Sequence, residues 1–151
     1  ALMGSLSNIL DSKLRVLDPG CGTAVLTCAL IEYLINNRFV KSIEVVVYET
    51  DDDIIQFTQK SLNYLNEWLK SKEIEFNFSI ITNDFVLENA SCLAENATLF
   101  SEKLEPFDIV ISNPPYFKLP INDKRSIAAK TVVNGHPNIY AMFIAISANL
   151  L

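Results

Sequence analysis

Hydrophobic and polar positions along the chain change period several times, and each change marks a strand or a helix. Residues 14–18 (LRVLD) form a short apolar run ending in an acid. Residues 25–36 follow with helical apolar spacing at Val25, Leu26, Ala29, Leu30, Tyr33 and Leu34. The run 43–48 (IEVVVY) is rich in β-branched side chains and stops at Glu49. Residues 52–70 read as a long helix that Asp51 or Asp52 can cap, with Ile55, Leu62, Leu65 and Leu69 along one face. Residues 75–82 (EFNFSIIT) alternate apolar and polar positions, as a strand near a sheet edge does. The stretch 85–105 predicts a loop and one helix around 90–104. Residues 107–112 (FDIVIS) predict a buried strand, which SNPPY stops. A polar loop comes next, and 139–151 is an apolar helical segment at the end of the chain.

Strands alternating with helices imply parallel βαβ units joined by right-handed crossovers. The expected fold class is therefore α/β, with a mostly parallel sheet. At 151 residues the chain has the length of one domain with a substantial core. A doubly wound sheet rarely finishes on a helix with no strand after it, so the chain reads as a piece of a longer protein. Residues 1–13 read as its edge or as an incoming segment, and 14–151 as the partial domain.

Half of the residues are apolar and a fifth are charged, a globular composition. No run is long and apolar enough to span a membrane. Three cysteines without a CxxC pair (Cys21, Cys28 and Cys92) and a single His136 make a zinc site a poor expectation and point to a reducing, cytoplasmic setting. The net charge of −6 argues against strong nucleic-acid binding by the whole surface. Its distribution is uneven. Residues 1–112 carry 8 Lys/Arg against 17 Asp/Glu, a net of −9. Residues 113–151 carry Lys118, Lys124, Arg125 and Lys130 against Asp123, a net of +3. A polyanion would meet the C-terminal third, although an ordinary solvated loop accounts for the same charges.

Candidate chemistry falls at the ends of four strands. In the first turn, Asp18-Pro19-Gly20-Cys21-Gly22-Thr23-Ala24, glycines let the backbone turn sharply and approach a ligand. An acid in this turn disfavours a pyrophosphate and suits a cationic ligand, such as the ammonium and sulfonium of S-adenosylmethionine. Glu49, with Thr50 beside it, ends the second strand, where a carboxylate can accept from both hydroxyls of a ribose. The adjoining acids 51–53 suit helix capping better than a metal. Asp84 follows the third strand, placed to accept from an adenine amino group, with Phe85 able to pack on the purine. Asn113-Pro114-Pro115-Tyr116 ends the fourth. Its prolines fix φ and remove two amide donors, and Asn113 is held extended. The Asn113 side-chain oxygen and the Pro114 carbonyl could take both hydrogens of a planar amine and steady the charge that a methyl transfer develops. Tyr116 could stack on the ring. Neither a metal nor a general base of strongly shifted pKa is required.

These residues carry a resemblance. LDPGCGTAVLT resembles the cofactor motif of class I S-adenosylmethionine-dependent methyltransferases, and its Asp-Pro-x-Cys-Gly form is similar to that of the adenine-N6 DNA methyltransferases. YETDD resembles their ribose-binding acidic motif and SNPPYFK their catalytic motif. PNIYAMFIAISANLL is similar to the methylase part of fused restriction-modification and phage-defence enzymes. The resemblance implies a Rossmann-like core, truncated after the helix that follows strand four. It places Asp18, Pro19, Gly20, Cys21 and Gly22 beside the methionine part of S-adenosylmethionine, Glu49 and Thr50 at the ribose, and Asp84 and Phe85 at its adenine. It also places Asn113, Pro114, Pro115 and Tyr116 at a target adenine flipped out of double-stranded DNA.

Three departures stand beside it. Ala24 occupies the turn's third glycine position, 1–13 lack the family's upstream motif, and the later strands and a target-recognition domain are absent. An NPPY turn also serves methyltransferases acting on a glutamine amide or an RNA base. A cofactor-dead interaction module is the alternative of another class. A nicotinamide site fits poorly, because the third glycine of G-x-G-x-x-G would fall at Val25. Truncation further predicts an open apolar edge at 107–112 and self-association through it.

Overall fold

The computed structural model describes residues 13–37, 40–93, 105–131 and 138–151. The incoming segment 1–12, the expected helix beyond residue 93 and His136 lie outside the described residues. Strand β1 (Lys13–Pro19) leads to α1 (Val25–Asn37), β2 (Ser42–Tyr48), α2 (Asp52–Lys70) and β3 (Glu75–Ile81). Then come α3 (Phe85–Asn89) with a 3-10 turn (Ala90–Leu93), β4 (Ile109–Val110), α4 (Lys124–Ala128) and α5 (Ile139–Leu150). The sheet is parallel throughout, in the order β3-β2-β1-β4.

Strand alternation divides the core. Leu14 and Val16 of β1, with Ile43, Val45 and Val47 of β2, face α1 and α2, where Ile31, Leu34, Leu62, Leu65 and Leu69 are buried against them. On the other side Leu17, with Val46 and Ile81, meets α3 and α5 through Phe85, Val86, Met142, Phe143 and Ile146. That second layer covers the carboxyl ends of the strands. Nearer their amino ends the same face carries Arg15 and Glu44, paired at 3.2 Å. The Arg15 guanidinium also donates to the Glu105 carbonyl and lies 4.8 Å from the Phe107 ring. Asp51 caps α2, its side chain accepting from the Asp53 amide at 3.0 Å.

Three expectations need correction. The strand expected over 107–112 is regular only at Ile109–Val110; the Asp108 and Ile111 amides still donate to the Arg15 and Leu17 carbonyls at 2.9 Å, and Pro114 and Pro115 withhold the donors that would carry the pairing further. Phe107 instead donates to the Leu150 carbonyl at 2.8 Å, which ties this segment to the end of α5. Where a loop was expected from residue 85, the short helix α3 stands at Phe85–Asn89, capped by Asp84, which accepts from the Leu87 amide at 3.0 Å, and a 3-10 turn follows at Ala90–Leu93. The polar loop after SNPPY contains α4, capped by Asp123 and anchored by buried Leu119, Ser126 and Ala129.

Candidate functional site

A cleft of about 360 Å³ opens at the carboxyl ends of the strands, around the point where the chain turns from β1 outward in both directions. Open α/β sheets bind ligands at this switch point, and the volume lies within the small-molecule range of about 300–1,000 Å³. Gly20 and Gly22 line it after β1, Glu49 and Thr50 after β2, Asn83, Asp84 and Phe85 after β3, and Asn113 and Pro115 after β4. Tyr48, Phe117, Arg125, Ile139 and Phe143 complete the wall.

The glycine turn is shaped by its conformation and by its braces. Gly20 has φ +76°, and a Cβ there would stand 3.3 Å from the Phe143 ring. The amides of Gly20 and Cys21 both donate to the Tyr48 carbonyl at 2.9 Å, which pins the turn to the end of β2. Glu49 clamps it from the side: Oε2 accepts from the Gly22 amide at 3.0 Å and Oε1 from the Asp51 amide at 2.9 Å. Thr58 of α2 donates to the Gly22 carbonyl at 2.5 Å. Ala24 closes the turn at φ +59°, a conformation that strains a residue with a Cβ, and its methyl is fully buried.

Asp18 does not line the cleft. It is 1% exposed below the turn, where the Thr27 hydroxyl donates to Oδ2 at 2.5 Å and Oδ1 has no partner among the described residues. Burial pushes its pKa up to about 6, against the opposing pull of the Thr27 hydrogen bond. Pro19, Cys21, Pro114 and Tyr116 also stand outside the lining. The Pro19 carbonyl accepts from the Ser112 hydroxyl at 3.0 Å, which binds the ends of β1 and β4 together. Burial drives the Cys21 thiol up to about 12, with the Asp18 and Glu49 carboxylates adding to the shift.

Asp84 and Phe85 occupy the expected wall with part of their capacity taken. Asp84 Oδ1 caps α3 while Oδ2 lies 3.7 Å from Arg125 Nη1. Phe85 is buried between Tyr48 and Phe143, at ring separations of 5.1 and 5.0 Å, and presents only part of its surface. Asn113 is exposed at the opposite wall, its side-chain oxygen accepting from the Tyr116 hydroxyl at 3.2 Å.

Sequence reasoning gave no site role to six members of the wall, of which Tyr48 was read only as the end of the second strand. Asn83 and Phe117 flank residues that were singled out. Phe143 and Ile139 belong to an apolar helix whose spacing marks burial without marking which residues reach the cleft. Arg125 has no local signal. Its guanidinium is held by both oxygens of Asp123, at 3.0 and 2.9 Å, and so reaches Asp84 from the far side of the fold. These bonds hold the Asp123 carboxyl down at about 2.

Comparisons with known proteins complete the description. The chain is 28% identical over 137 residues to the type II methyltransferase M.BsuBI of Bacillus subtilis, covering 91% of this chain and 26% of that protein. It is 26% identical over 151 residues to the type II methyltransferase M.PstI of Providencia stuartii, covering 99% and 28%. It thus spans about a quarter of the length of the curated relatives it matches. Its fold is similar to a solved structure assigned to the class I S-adenosylmethionine-dependent methyltransferases, from Listeria monocytogenes, with a TM-score of 0.62 and 20% identity over 94% of this chain and 37% of that one. Residues 25–151 match the family described as Eco57I restriction-modification methylase, a stretch that takes in Glu49, Asp84 and the 113–116 turn. That match covers well over half of the chain, which therefore belongs to the Eco57I restriction-modification methylase family.

Proposed function

We propose that the cleft binds S-adenosylmethionine and that the protein methylates the exocyclic N6 amine of adenine in double-stranded DNA, within a restriction-modification system. The observation that carries this reading is one cleft with two unlike walls. Glu49 and Asp84 stand at the ends of β2 and β3, and Asn113 stands at the end of β4 across the glycine turn.

The residues fit a cationic nucleoside. The cleft offers carboxylates for hydroxyl and amino donors and the rings of Phe117 and Phe143 for a purine. Beneath the turn, Asp18 Oδ1 is a buried acceptor without a partner among the described residues, a group that a nearby positive charge would stabilise. When bound, S-adenosylmethionine supplies an electrophilic methyl group on a cationic sulfur.

The chain's own part is to prepare the amine. Its lone pair is delocalised into the purine, which makes it a weak nucleophile. Asn113 Oδ1 and the Pro114 carbonyl would accept the two amino hydrogens, draw the nitrogen toward tetrahedral geometry and offset its developing charge. The Tyr116 hydroxyl already uses one lone pair of Asn113 Oδ1, and the second is free in principle for the base. A base inside a duplex cannot reach this oxygen, so the target must flip out. Exposed Lys118, Lys124 and Lys130 would then meet phosphates without reading sequence.

Calorimetric titration of S-adenosylmethionine, repeated with Glu49→Ala, tests the cofactor half. Binding by the wild type and its loss in the variant is the expected result, and no binding by the full-length protein would sink it. Nucleoside analysis of DNA treated with the full-length protein tests the other half. N6-methyladenine is expected, whereas methylation confined to RNA or to a glutamine amide would overturn the assignment.

A further inference from the structure

Tyr116 is 74% exposed and lies in a segment without regular secondary structure, which by itself would leave its ring free to change rotamer. The structure holds it at two points. Its hydroxyl donates to Asn113 Oδ1 at 3.2 Å, and one face of its ring stacks on Tyr140 with centroids 5.5 Å apart and planes inclined by 21°. Tyr140 stands in the first turn of α5, where its amide donates to the Asn138 side chain at 3.1 Å. A backbone bridge between Lys118 and Asn138, with the Ile139 amide donating to the Phe117 carbonyl at 3.3 Å, joins the start of α5 to the strand leaving the proline turn. Buried Ile139, Met142 and Ile146 seat that helix in the core. The backbone that carries Tyr140 is thus seated in the core, and the face of Tyr116 not stacked on Tyr140 is turned away from it.

We infer that Tyr140 is a positioning residue for the target base: it backs the Tyr116 ring so that the opposite face is presented at a fixed place beside Asn113. This rests on the proposed adenine methylation and adds a residue outside the Asn-Pro-Pro-Tyr turn. The base entering the site would complete a three-layer stack of base, Tyr116 and Tyr140. Removing the ring of Tyr140 would return rotamer freedom to Tyr116, which would have to be lost again with each base bound.

The test compares Tyr140→Ala and Tyr140→Phe with the wild type in the full-length protein. Three readings are needed: S-adenosylmethionine affinity, steady-state methylation of duplex DNA, and fluorescence of 2-aminopurine at the target position. Tyr140→Ala is expected to raise KM for DNA by about two- to tenfold, the range of one aromatic stack. It should also reduce the 2-aminopurine signal and leave cofactor affinity unchanged, while Tyr140→Phe keeps wild-type values because the ring alone does the work. An unchanged KM and signal in Tyr140→Ala would overturn the inference. So would a parallel loss of cofactor affinity and thermal midpoint, which marks a merely structural side chain. A wild type that binds cofactor yet methylates no DNA adenine would instead refute the substrate assignment, and the inference with it.

Discussion

The two faces of the sheet are built by different rules. On the α1/α2 face, three seven-residue strands run in unbroken register, and two long helices bury an apolar stripe against them. The face covered by α3 and α5 is closed by short elements: α3 and α4 are five residues each, and β4, which turns Ile109 to the first face and Val110 to this one, pairs over only two residues. Isolated bonds replace the ladder there, from Phe107 to Leu150, Ile111 to Leu17 and Ile139 to Phe117. Periodic burial makes the first region a frame. The second forgoes regular hydrogen bonding, and this frees the backbone and side chains around Asn113 to meet a ligand.

The largest effect expected within this contrast comes from the frame. Leu62→Ala removes a fully buried side chain and should cost about 2–5 kcal/mol in chemical denaturation. Next comes the opposite case, Asn113→Ala. The residue is exposed, so stability should stay within about 0.5 kcal/mol of the wild type. Methylation by the full-length protein should nonetheless fall about 10²–10³-fold, as when one preorganised polar contact to developing charge is lost. A variant that unfolded, or that stayed active, would erase the division between frame and chemistry.

Asp18 belongs to the frame by burial but lies under the site. Its folded pKa of about 6 is above the ordinary 3.8, so the fold favours the protonated acid. That contribution is fully present below about pH 4 and is lost as pH rises through 6, a difference of about 3 kcal/mol at most. Asp18→Asn should therefore match the wild type near pH 4 and exceed its stability above pH 7. Equal pH slopes in denaturant midpoints of the two proteins would place the titration elsewhere. The smallest effect is expected at Ala24. Changing it to Gly relieves a left-handed Cβ, worth about 1 kcal/mol, and removes a buried methyl of similar value. The unfolding free energy should move by less than about 1 kcal/mol.

Legibility in the sequence follows the same boundary. α2 was readable to its ends because capping Asp51 and the Leu62, Leu65 and Leu69 stripe are local signals. The edge position of β3 showed in its alternation. α4 was not readable, since a five-residue helix has too few positions for a period and its anchors, Leu119 and Ala129, lie outside or just past it. Asp84 was legible as a residue of the cleft wall and not as a helix cap, although a carboxylate ahead of a short apolar run supports both readings.

By itself the amino-acid sequence determined the order of the four strands and of the helices α1, α2 and α5, the glycine turn, and the acids and the proline turn at the strand ends. These depend on contacts within a few residues, where φ restriction, capping and periodic burial act. Only the tertiary structure decided that Asp18 lies beneath the cleft, that Arg125 reaches Asp84, that Phe143 closes over Gly20 and that Tyr140 backs Tyr116. Asp18 is covered by its own turn and held by Thr27 of α1; the other three are meetings of elements distant in sequence, set by how α4 and α5 pack back onto the sheet, and no local pattern of residues encodes such a distance.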